Sequence, residues 1–98
     1  MSFLVVVSYD VSTETAAGRR RLRRVASVCE DFGLRVQNSV FECLVDPEQW
    51  TRLQARLFEE YNGEEDSLRF YFLGKKWRGR KEHYGAKPTP EPEDPLIV

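Results

Sequence analysis

Phe3-Leu4-Val5-Val6-Val7-Ser8-Tyr9-Asp10 is an apolar, β-branched run that closes on a carboxylate. A short run of this composition predicts a buried strand. Strand alternation puts Leu4 and Val6 on one face and Val5 and Val7 on the other, and both pairs are apolar. Asp10, in the last position, stands where sheet side chains emerge at a rim or crevice. Two readings of it are open on these residues. It is a turn cap acting with Thr13, a routine role for Asp and Thr, or it is a metal-binding or phosphate-facing acid.

Beyond the strand, Val11 to Thr15 is a polar connection. From Gly18 the residues Leu22, Val25, Ala26, Cys29 and Phe32 recur at helical spacing and predict an amphipathic helix ending near Gly33. Its other faces carry Arg19, Arg20, Arg21, Arg23 and Arg24. Extended chain follows, first around Arg35-Val36-Gln37 and then from Ser39 to Val45. Asp46-Pro47 stops it, with Asp46 as N-cap of a second helix, Pro47 at the first helical position and Gln49 at N3. Trp50, Leu53, Leu57 and Tyr61 form the apolar stripe of that helix. Asn62-Gly63 ends it, Glu64-Glu65-Asp66 reads as a solvated turn, and Ser67 to Leu73 is a further strand.

The order strand, helix, strand, strand, helix, strand predicts an α+β, ferredoxin-like βαββαβ domain over residues 1–87. Residues 88–98 form a proline-rich C-terminal extension ending on Leu96-Ile97-Val98, a terminal strand able to reach a neighbouring sheet. Two helices cover only one sheet face, whereas the first and last strands are apolar on both. The expectation is a homodimer packed through its sheet faces, with a tail folded back on its own sheet as the alternative.

With 98 residues there is room for one domain, and 41% apolar content argues against disorder. The net charge of −1 hides two basic patches. Residues 19–24 hold five arginines and no acid; residues 69–87 hold seven basic residues against Glu82 alone. Patches of this kind steer a polyanion. The N-terminal run is too short for a membrane span and lacks a basic leader, so no membrane association and a cytoplasmic location are expected. Cys29 and Cys43 each fall at an apolar position of a periodic segment and read as reduced core thiols.

No Ser-His-Asp or Cys-His arrangement, Walker loop or zinc spacing is present, and His83 reads as an ordinary exposed or cross-strand residue. If bare sheet faces meet across a two-fold axis, Asp10 of each subunit approaches the axis together with Ser8. Two carboxylates so placed repel unless a proton or divalent cation neutralises them. Mg²⁺ suits such a site, held weakly because each subunit offers one acid. The Gly74–Gly79 loop, with Lys75, Lys76, Trp77 and Arg78, fits contact with a phosphate backbone. Trp77 either stacks on a base or anchors on the protein.

Tyr9-Asp10-Val11 closing an apolar strand, the basic helix, Arg35-Val36-Gln37-Asn38-Ser39-Val40-Phe41-Glu42 and Leu68-Arg69-Phe70-Tyr71 together resemble the small CRISPR-associated endonuclease family, the central dimer of spacer acquisition. His83-Tyr84-Gly85-Ala86-Lys87-Pro88 and Glu93-Asp94-Pro95-Leu96-Ile97 resemble the C-terminal pattern of one subtype. The resemblance covers essentially the whole chain. It implies a ferredoxin-like homodimer with Asp10 as Mg²⁺ ligand and catalytic residue, and Tyr9, Ser39 and Phe41 beside it. Arg20 and Arg35 are its implied phosphate contacts, with Arg19, Arg24, Lys75, Lys76 and Arg78 as further nucleic-acid-binding residues. The implied partners are a CRISPR-associated integrase and double-stranded DNA, with single-stranded RNA as another substrate. The alternatives are a purely structural adaptor and a ferredoxin-like regulatory module that binds a small ligand.

Overall fold

The computed structural model describes residues 1–76. Its elements run β1 (Phe3–Asp10), α1 (Ala16–Glu30), β2 (Gly33–Gln37), β3 (Val40–Val45), α2 (Pro47–Glu60) and β4 (Ser67–Gly74). The four strands form one antiparallel sheet in the order β2-β3-β1-β4. This is the expected ferredoxin-like βαββαβ arrangement. The expected terminal strand, the residue 88–98 extension, Trp77, Arg78 and His83 lie outside the described residues.

Both helices are capped by side chains. Thr15 accepts from the Gly18 N–H at 3.0 Å and starts α1. Asp46 and Gln49 form a reciprocal capping box on α2, at 2.7 and 2.9 Å, with Pro47 in the first turn. The helix α1 begins two residues before the expected Gly18 and ends three before Gly33. Gly18 is required where it stands: a Cβ there would lie 1.9 Å from the Ser12 carbonyl oxygen. The loop leaving Asp10 therefore packs directly on the first turn of α1.

Register assigns each strand residue to a face. Val5 pairs with Cys43 and Phe72, Val7 with Phe41 and Phe70, and Tyr9 with Leu68. Apart from the exposed Phe72, these side chains share one core with Val25, Ala26, Val28 and Cys29 of α1 and Leu53 and Leu57 of α2. Both helices thus cover the same side of the sheet. Burying such side chains removes apolar area from water at about 25 cal/mol per Å². Trp50 adds edge-on ring contacts to Phe70 and Phe72, at 4.8 and 5.3 Å between centroids. Cys29 and Cys43 are buried free thiols, and hydrogen bonding with Cys43 together with burial pushes the Cys29 thiol far up.

The other face carries Leu4, Val6, Ser8 and Asp10 of β1 opposite Leu44, Glu42 and Val40 of β3 and Tyr71, Arg69 and Ser67 of β4. No described helix lies on it. Tyr71 is 52% exposed there, while Leu4 is buried but stands outside the helix-side core.

Candidate functional site

The end of β1 separates two chemically different places. On the open face, Asp10 is exposed, and an open hollow of about 250 Å³ is lined by Ser8, Tyr9, Asp10, Ser39, Ser67 and Arg69. Pairing builds it: Asp10 lies opposite Ser67, Ser8 opposite Arg69, and the Tyr9 N–H donates to the Ser39 carbonyl at 2.9 Å. Two strands and the β2–β3 turn therefore bring one carboxylate, one guanidinium and three serines together. Asp10 and Ser39, both expected at the site, meet here. Arg69 and Ser67 were not singled out as site residues. Their signal was the β1–β4 register, which only the folded sheet supplies.

On the helix side, Tyr9 and Phe41 are buried in the core. The Tyr9 hydroxyl donates to Asp66 Oδ2. Asp66 also accepts from Arg21 Nε at 2.8 Å, Arg21 Nη2 at 3.0 Å and the Asn62 N–H at 2.9 Å. Arg21 bridges on to Glu65 at 3.2 Å. Asp66 is thus the centre of a buried network, not part of a solvated turn. The Asn62 side chain, accepting from the Glu64 N–H, folds the turn so that Asp66 faces inward. A sequence signal for this existed. Arg21 shares the i, i+4, i+7 spacing of Val25 and Val28 on the buried side of α1, and an arginine there needs an acid partner.

Electrostatics follow from this packing. Burial and the neighbouring Asp66 charge push the Tyr9 hydroxyl well above its ordinary 10.0. Burial raises the Asp66 carboxyl, but Arg21, Tyr9 and the Asn62 N–H outweigh it and hold it below 3.8. Hydrogen bonding to Asp66 raises Arg21 despite its own desolvation. Tyr9 therefore stays a neutral donor and Asp66 a charged acceptor through the physiological range.

The expected phosphate contacts are dispersed. Arg19, Arg20 and Arg24 are exposed on α1, with Arg19 Nη1 held on the Thr13 carbonyl at 2.9 Å. Arg35 donates to the Asn38 carbonyl at 2.9 and 2.6 Å and lies over the Phe41 ring at 5.7 Å, on the helix side of the sheet. Lys75 and Lys76 are exposed just after β4, and Arg78 lies outside the described residues. None of the described ones among these basic residues lines the hollow.

Among the described residues no group of three His, Cys, Asp or Glu converges. The Asp10 hollow, with one carboxylate and serine oxygens, suits an oxygen-seeking ion that keeps several waters, as Mg²⁺ does. No described helix is long and apolar enough to cross a membrane.

Fold and site together define a ferredoxin-like domain that presents an acid, an arginine and hydroxyls at the rim of an open sheet face. A family model described as CRISPR associated protein Cas2 matches residues 1–81. The chain is 58% identical to the "CRISPR-associated endoribonuclease Cas2" of Nitratidesulfovibrio vulgaris, over 99% of this chain and 95% of that one. It is 51% identical to the "CRISPR-associated endonuclease Cas2" of Halalkalibacterium halodurans, over 96% and 98%. Among solved structures, Cas2 of Streptococcus pyogenes at pH 6.5 superposes with a TM-score of 0.77 and 54% identity, covering 84% of this chain and 99% of that one. The chain belongs to the Cas2 family of CRISPR-associated proteins.

Proposed function

We propose that this protein serves CRISPR spacer acquisition as a homodimeric platform that binds duplex DNA for the integrase, with a Mg²⁺-dependent phosphodiesterase site at Asp10. The observation that carries this reading is the sheet face that no described helix covers: Val6, Leu44 and Tyr71 give it apolar surface beside Glu42, and Asp10 stands at its rim. Two such faces packed together would remove that apolar surface from water and bring two Asp10 side chains toward one axis. The names of the relatives, endoribonuclease and endonuclease, support hydrolysis of a phosphodiester. Cas2 membership itself carries a general role in spacer acquisition.

Asp10 and Ser39 would hold the metal, which supplies a polarised phosphate and an activated water when bound. Tyr9 and Phe41 act from the core side, where they fix the end of β1 and its neighbour β3. Exposed Arg19, Arg20 and Arg24, with Lys75 and Lys76, give the electrostatic grip on the duplex, and Arg35 adds a contact at the β2–β3 turn.

The test uses one preparation of Asp10→Asn. Cleavage of labelled duplex DNA and single-stranded RNA should vanish with D10N and with chelator, while duplex binding and integration by the full complex persist. Undiminished cleavage by D10N would exclude Asp10 as the essential ligand. Loss of integration along with cleavage would overturn the platform role. Neutralising Arg20 or the Lys75/Lys76 pair should flatten the log-affinity against log-salt slope by about one unit per lost phosphate contact.

A further inference from the structure

Arg69 stands apart from the other described arginines by its place in the hollow. Arg21 is spent on Asp66 and Glu65, and Arg56 on Asp31 at 2.8 Å. Arg69 lines the hollow beside Asp10, yet neither residue makes an ion pair among the described residues. Register sets their relative positions. Asp10 is opposite Ser67, so Arg69 is its diagonal neighbour two residues along β4. Diagonal positions on one face are roughly 7–8 Å apart, within reach of a long side chain, so a group lodged between the two can touch both. Ser8, Ser39 and Ser67 line the same hollow.

An arginine placed to neutralise Asp10 would have closed on it. One that lines a hydroxyl-bearing hollow without closing on the acid is arranged for a ligand with an anionic oxygen. A guanidinium recognises phosphate oxygens through two parallel N–H donors, and serine hydroxyls fill the remaining acceptor sites. We propose that Arg69, assisted by Ser8 and Ser67, forms a phosphate-binding subsite that holds one phosphodiester of a nucleic-acid strand against Asp10. This rests on the nucleic-acid reading given above, but not on cleavage. Arg69 would set which phosphate faces Asp10, whereas the α1 arginines, which do not line the hollow, act on affinity.

The experiment measures binding in chelator, so that no cleavage intervenes. The dimer is titrated with a series of short duplex DNAs and a matching series of single-stranded RNAs, each carrying one neutral methylphosphonate at a different position. Wild type should lose roughly tenfold in affinity at one position. Arg69→Gln should bind the unmodified strand roughly tenfold more weakly and show no further loss at that position. Arg69→Lys should recover part of the affinity, since it restores charge without the two-pronged geometry. An unchanged melting temperature for R69Q, expected for an exposed side chain, separates the effect from misfolding. The series in which the interference appears identifies the strand. Equal interference in wild type and R69Q, or equal affinity for the unmodified strands, would overturn the subsite. Absence of Mg²⁺-dependent cleavage by wild type would remove the nuclease reading and leave the subsite standing. Failure of wild type to bind either strand would overturn both.

Discussion

Replacing Tyr9 by Phe removes one hydroxyl and leaves the ring in place. The hydroxyl is buried and donates to Asp66, which is otherwise held by Arg21 and the Asn62 N–H. A hydrogen bond to a buried charged acceptor contributes about 1.5–3 kcal/mol. For a domain of this size such a loss should lower the melting temperature by on the order of 10 °C at pH 7. The effect also has a pH signature. In the folded chain the Tyr9 hydroxyl is raised above its ordinary 10.0, first by burial and then by Asp66. The unfolded chain therefore releases this proton at lower pH than the folded chain. The stabilisation is complete below pH 10.0 and is lost as pH rises toward the folded value. The largest slope from one such group is about 1.4 kcal/mol per pH unit. Urea denaturation of wild type and Y9F at fixed protein concentration, from pH 7 to 11, should show a gap that is constant to about pH 10 and then narrows. No gap at pH 7, or a gap that does not change with pH, would refute the reasoning. Nucleic-acid binding should be unaffected, since the hydroxyl faces Asp66.

Asp66→Asn should destabilise by about 3 kcal/mol at neutral pH, because it removes the charge that compensates Arg21. It should also abolish the part of acid unfolding that belongs to Asp66: the folded carboxyl lies below 3.8, so its stabilisation is present above that pH and is lost as pH falls further, as circular dichroism against pH would record. Gly18→Ala places a Cβ where the Ser12 carbonyl oxygen now lies, and should cost about 1–3 kcal/mol in thermal unfolding even though alanine is the better helix former. Tyr71→Glu puts a charge on the open sheet face and should shift sedimentation at micromolar concentration from dimer toward monomer, with its folded circular dichroism retained.

Local signals were sufficient for the elements. The β-branched run of β1, the Asp46-Pro47-x-Gln49 box of α2 and the helical spacing of Leu22, Val25 and Cys29 each place their segment from neighbours a few residues apart. The position of Asp10 at a strand end, and the apolar character of both β1 faces, were also readable, because alternation is a property of the strand itself. The motif around Arg35 to Glu42 pointed to the family before any fold was known.

Tertiary structure decided which side chains meet. Asp66 read as solvated because it follows two acids in a polar turn. Its burial depends on the Asn62 turn and on Arg21, 45 residues earlier in the chain. The five arginines of α1 look alike in sequence, yet Arg21 is drawn inward and Arg19, Arg20 and Arg24 remain exposed. Tyr9 and Asp10 are adjacent, but the pleat sends one into the helix-side core and the other to the open hollow. Arg69 reaches that hollow because β4 pairs with β1 in one register, and a shift of a single residue would turn it to the opposite face. Sequence by itself determined the elements and the acid at the strand end, since both follow from local periodicity and composition. The partners of that acid were decided by strand pairing, because contacts between residues some 60 positions apart exist only once the sheet has closed.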